Sequence, residues 1–112
     1  MKSYLILVRG GNPGFEKLDP EAQGALYQKW GAYMGKLTES GNWVNGAPLD
    51  NSGRLLCDKK EPVEGVVGED DVSIGGYLTL QADSYDAVLE LCNDCPTFEI
   101  GGKLEIREIA EM

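Results

Sequence analysis

At 112 residues, 42% hydrophobic and 26% charged, the chain has the size and composition of one globular domain spanning residues 1–112. Its length excludes a separate cofactor-binding half, and it contains neither a disordered composition nor an apolar run long enough for a membrane span. Ten basic residues against nineteen acidic ones give a formal charge of −9, and the basic ones are scattered, so no nucleic-acid surface is expected.

Residues 4–8 (Tyr-Leu-Ile-Leu-Val) are apolar throughout, the pattern of a strand covered on both faces in the middle of a sheet. The apolar part is too short for a signal peptide and ends in Arg9, so a cytoplasmic location is expected. Gly10-Gly11-Asn12-Pro13-Gly14 then breaks the strand and reads as a connection. Although it stands between a strand and a helix, it has neither the Walker nor the dinucleotide-binding pattern.

Asp19-Pro20 has the form of an N-cap followed by proline at the first helical position. The long helix it opens has Leu18, Ala22, Ala25, Leu26, Tyr33 and Leu37 at three- and four-residue steps, with Trp30 beside them and Gly41 as C-terminal cap. Gly24, Gly31 and Gly35 each cost about 1 kcal/mol of helix propensity, for which close approach of a neighbouring element would compensate. Two short strands, Trp43–Ala47 and Leu55–Lys59, are expected to pair as a hairpin across the turn-forming Asp50-Asn51-Ser52-Gly53.

The stretch 60–73, with Pro62, Gly65, Gly68 and five acidic residues, reads as an exposed loop holding a brief extended piece at Val66-Val67. Ile74–Gln81 alternates, with Ile74, Gly76, Leu78 and Leu80 on one face and Gly75, Tyr77, Thr79 and Gln81 on the other. Asp83-Ser84 supplies cap oxygens for a helix through Asn93 that packs by Ala87, Val88, Leu91 and Cys92, and Pro96 ends it. A final strand runs over 103–109, with Leu104 and Ile106 opposite Glu105 and Arg107.

Strand, helix, two strands, strand, helix, strand is an α+β order in which two helices cover one face of a sheet. The second face of the last strands is polar, at Tyr77, Thr79, Gln81 and Arg107, whereas the first strand is apolar on both. A second copy packed sheet to sheet would bury the apolar part and enclose the polar part as a lined cavity.

Glu64-Gly65-Val66-Val67 with Glu69 after it, Gly75-Gly76-Tyr77-Leu78, Asp86-Ala87, Cys95-Pro96 and the closing Leu104-Glu105-Ile106-Arg107 resemble the YCII-related, or DGPF-domain, family over nearly the whole chain. The resemblance implies a ferredoxin-like α+β sandwich that dimerises through its sheets into an α/β barrel. Of the family's Asp-Gly-Pro-Phe signature only Gly65 is kept. The helical histidine that shorter members pair with an aspartate falls at Trp30, and the chain has no histidine at all. The family's acid–base pair is therefore absent.

Cys57, Cys92 and Cys95 have no framework spacing and read as reduced thiols. Cys92-Asn93-Asp94-Cys95 stands at a helix C-terminus, where the dipole opposes a thiolate, and a zinc site would need carboxylates to complete it. Glu61, Glu64, Glu69, Asp70 and Asp71 do not have EF-hand spacing and read as a solvated acidic loop. Without histidine no serine triad can form. No cofactor or metal is expected.

The candidate ligand pocket is the polar and aromatic set Arg9, Trp30, Trp43, Asn45, Tyr77 and Arg107, with Glu69 at its rim. Arginine in an enclosed cavity favours an anionic or carbonyl-bearing ligand. The opposing reading leaves the aromatics in the core or at a dimer interface and pairs the arginines with Glu105 and Glu108. Two functions follow: a dimer binding a small polar or anionic molecule, with or without catalysis of isomerase, lyase or oxygenase type, or a non-catalytic protein-interaction module.

Overall fold

The computed structural model describes residues 1–50, 52–55, 63–64 and 74–112. Its strands are β1 (Lys2–Arg9), β2 (Trp43–Pro48), β3 (Arg54–Leu55), β4 (Val63–Glu64), β5 (Ile74–Ala82) and β6 (Lys103–Glu108). The helices are α1 (Asn12–Glu16), α2 (Pro20–Glu39) and α3 (Tyr85–Cys92), followed by a 3-10 helix at Pro96–Ile100. β2, β5, β1 and β6 form, in that order, a four-stranded sheet whose neighbours are all antiparallel. Setting the small β3–β4 pair aside, the strands follow one another as second, third, first and fourth, which is the ferredoxin-like arrangement.

The all-apolar β1 takes an interior position, bonded to β5 and β6. Tyr4 and Ile6 point into the core, where they meet Leu78, Leu80 and Ala82 of β5, Tyr33 and Leu37 of α2, and Val88 and Cys92 of α3. Both longer helices therefore cover one face. The alternation expected in β5 is present, with Gly76, Leu78, Leu80 and Ala82 buried and the residues between them half-buried. On the opposite face Leu5 lies between Thr79 and Arg107, and Leu7 between Tyr77 and Glu105. Leu5 and Leu7 are half-buried in the single chain.

The helix caps follow their sequence signals. The Ala22 N–H donates to Asp19 Oδ1 at 2.8 Å, and the Ala87 N–H donates to Ser84 Oγ at 3.2 Å. Gly41, at φ 79°, occupies the left-handed region beyond α2. Lys29 pairs with Glu99 at 2.5 Å and Lys36 with Asp94 at 3.1 Å, linking α2 to the segment after α3 through exposed contacts.

Several local expectations are corrected. β2 pairs with β5 and Leu55 with Val63 of β4, so among the described residues the strand at 43 has no pairing with the one expected at 55–59, whose residues 56–59 lie outside the described residues. The cross-strand partner of the half-buried Trp43 is Leu80, far along the chain. Gly24, Gly31 and Gly35 face open space, with nothing within 4 Å of an added Cβ, so no close neighbour compensates for them. The glycine-rich connection contains the short helix α1, and Pro96 opens a 3-10 helix as well as ending α3. The brief extended piece expected at Val66-Val67 lies outside the described residues.

Candidate functional site

A cleft of about 600 Å³ opens between α2 and the helix-facing side of the sheet. Its α2 wall is Leu26, Tyr27, Trp30 and Met34, spaced so that they share one helical stripe. Its sheet wall is Val8, Gly46, Gly76 and Leu78, and the Trp43 ring comes within 2.8 Å of where a Cβ on Gly46 would lie. Phe15 and Glu16 of α1 close one end, and Thr97 and Ile100 of the 3-10 helix form another part of the lining.

The two short helices hold that end together through glycine. Gly11, at φ 85°, precedes α1 and accepts from the Phe15 N–H at 2.8 Å. A Cβ on Gly14 would fall on the Ile100 carbonyl oxygen, and one on Gly102 would fall on Thr97 Oγ1. Close packing of α1 on the 3-10 helix thus sets where Phe15 and Glu16 sit. Phe15 meets the Tyr27 ring edge-on at 5.4 Å between centroids, and Trp30 meets Tyr33 in the same way at 6.0 Å.

The sequence candidates divide between two surfaces. Trp30 and Tyr77 line the cleft, Tyr77 through backbone, because the pleat turns its side chain toward Leu7 on the sheet's other face. Trp43 packs against the core from the edge strand. Asn45, opposite Thr79, and Arg107, opposite Leu5, lie on the open face. There Arg9 reaches Glu105 at 2.8 Å and Arg107 reaches it at 3.9 Å. Glu69 lies outside the described residues, as does Cys57.

Phe15, Glu16, Tyr27 and Met34 are lining residues that the sequence reading did not single out. Tyr27 and Met34 stand three residues before and four after Trp30, so its helical stripe carried the signal for both.

Cys92 and Cys95 are buried free thiols. Burial pushes the Cys92 thiol up to about 11 and the Cys95 thiol up to about 12. Tyr33, whose hydroxyl donates to the Leu91 carbonyl at 2.8 Å, is likewise raised by burial and the neighbouring cysteines. Such thiols are poor nucleophiles and poor metal ligands at neutral pH. Among the described residues no cluster of three metal-ligating side chains occurs.

A raised thiol pKa holds its proton more firmly in the folded state, so its contribution to stability is complete below the unfolded value of 9.0 and is lost as pH climbs through the folded one. Urea unfolding should show stability declining from pH about 9 to 11. The decline should be shallower in the Cys92→Ala/Cys95→Ala variant; equal slopes in the two proteins would remove the thiols as its source.

The YCII-related domain model matches residues 3–112. The chain belongs to this family. The YCII-related fold is also that of a solved structure, 5-chloro-2-hydroxyhydroquinone dehydrochlorinase (TftG) from Burkholderia phenoliruptrix AC1100, in complex with 2,5-dihydroxybenzoquinone. The two chains superpose with a TM-score of 0.61 at 18% identity, over 98% of this chain and 95% of that one. None of the curated proteins matches this chain. No helix among the described residues is long and apolar enough to cross a membrane.

Proposed function

We propose that this YCII-related chain binds a small planar molecule, the size of a substituted benzene ring, in the cleft between α2 and the sheet. The observation that carries this is the pairing of an aromatic wall, Phe15, Tyr27 and Trp30, with a sheet wall of Val8, Gly46, Gly76 and Leu78. The cleft volume of about 600 Å³ falls in the range of small-molecule sites, which are mostly apolar with a few polar groups. A neighbour of the same fold in complex with 2,5-dihydroxybenzoquinone adds support by analogy.

Calorimetric titration with hydroxyhydroquinone under nitrogen tests the reading. Saturable binding at one site per chain is the expected result, and an absence of heat together with an unchanged melting temperature would overturn it.

The reading extends to a second copy of the chain on the open sheet face. Leu5 and Leu7 on the interior strand are only half-covered there, and Glu105 with Arg107 presents charges of both signs beside them. Sedimentation equilibrium at micromolar concentration should give twice the chain mass of 12.2 kDa, and a single-chain mass would remove the second copy.

A further inference from the structure

We propose that the first turn of α3 is a latch over the buried Tyr4 hydroxyl, poised to swing open while the rest of the fold stays intact. Tyr4 is fully buried, and its hydroxyl is the buried side-chain polar atom without a hydrogen-bond partner among the described residues. Burial and the nearby Glu108 carboxylate raise its pKa, so the phenol keeps a proton for which it has no acceptor. A donor buried in this way has given up its hydration with nothing in exchange. Any opening that wets it is favoured to that extent over the closed form.

The group that covers it is Tyr85, the first residue of α3. The two rings meet edge-on at 5.0 Å between centroids, and Tyr85 is itself 46% exposed. Tyr85 therefore touches the buried ring on one side and water on the other. Its fastening is slight. The Glu108 N–H donates to Tyr85 Oη at 2.9 Å, so at this edge strand of the sheet a phenol takes the place of a neighbouring strand. The remaining tie at this corner, Lys2 to Glu108 at 3.8 Å, is an exposed pair that holds little. A half-exposed cover held by one hydrogen bond and one ring contact has the character of a segment that opens locally, below the free energy of global unfolding. Tyr4, Tyr85 and Glu108 are not among the residues lining the cleft, so the latch stands apart from the ligand reading.

The test is amide hydrogen exchange and thermal melting of the full chain as wild type, Tyr4→Phe and Tyr85→Phe. Tyr4→Phe removes what opening gains, so it should raise Tm by about 4–8 °C and slow exchange at the Ala87, Val88 and Glu108 amides together by roughly five- to tenfold. Tyr85→Phe keeps the ring and loses the oxygen, and should speed exchange at the same three amides with a smaller change in Tm. The Gln81 amide, which donates to the Asn42 carbonyl at 2.8 Å near the β2 edge of the sheet, should not follow Tyr85→Phe. A fall in Tm on Tyr4→Phe would show that the hydroxyl is satisfied in the fold. A rise in Tm with unchanged exchange at the three amides would confine its exposure to global unfolding, and either result removes the latch.

Discussion

Gly14→Ala should destabilise the fold by about 1–3 kcal/mol, a fall of roughly 4–12 °C in Tm, while the chemically identical change Gly24→Ala should raise stability by about 0.5–1 kcal/mol. The contrast comes from space rather than from propensity. At Gly14 the added methyl would occupy the position of the Ile100 carbonyl oxygen, with the Ile100 carbonyl carbon at 3.0 Å. Because these are backbone atoms, neither can swing aside as a side-chain tip would, and α1 must back away from the 3-10 helix. Gly24 lies in the interior of α2 with nothing within 4 Å, so alanine there restricts the unfolded chain and meets no obstacle.

The consequence of Gly14→Ala extends to the site, since α1 carries Phe15 and Glu16 to the end of the cleft. Thermal melting and urea titration of the two variants side by side measure the signs. Equal and small changes in both would mean that α1 does not dock as described.

Trp30→Leu should weaken ligand binding about thirtyfold, the effect of removing an aromatic anchor worth about 2 kcal/mol. Leucine keeps an apolar side chain against the core cluster that Trp30 borders, so the change should cost far less in stability than in affinity. What it removes is the flat indole surface facing the cleft and the edge-on contact with Tyr33. Arg107→Ala provides the comparison, being exposed on the other face of the sheet and paired with Glu105. Calorimetry should find its affinity unchanged. A thirtyfold loss in Arg107→Ala with none in Trp30→Leu would transfer the site to the open face.

Much of the fold is legible in the sequence because its local signals agree with its packing. The alternation at Ile74–Gln81 and the caps at Asp19 and Ser84 each have one physical reading, which the structure realises, and the apolar run at 4–8 is the interior strand it suggests, though Leu5 and Leu7 on its second face are only half-buried in the single chain. Pairing partners are another matter. Trp43 to Ala47 shows strand character, but nothing local distinguishes a partner at 55 from one at 77–80, and the pairing of Trp43 with Leu80 is a long-range contact. The short helices were hidden for a different reason. Asn12-Pro13-Gly14 and Pro96-Thr97 carry turn residues, and what makes them helical is the packing of one segment on the other.

The candidate site was partly legible. Trp30 was visible as a large aromatic on a core-facing stripe, and that stripe also held Tyr27 and Met34. The polarity of Tyr77, Thr79 and Arg107 spoke of a face distinct from the core, which is where the open side of the sheet places Thr79 and Arg107. Polarity alone does not report concavity, however. The cleft lies between α2 and the sheet and is closed by α1 and the 3-10 helix, an arrangement of separate segments that has no periodic signature.

The most direct measurement is a two-dimensional ¹H–¹⁵N NMR titration of the full chain with hydroxyhydroquinone under nitrogen. The cleft as the ligand site predicts saturable shifts at the Trp30 indole N–H and at the amides of Gly10, Gly11, Gly46 and Gly76, which surround it. Shifts gathered instead at Asn45, Thr79 and Arg107, on the far side of the sheet, would contradict it.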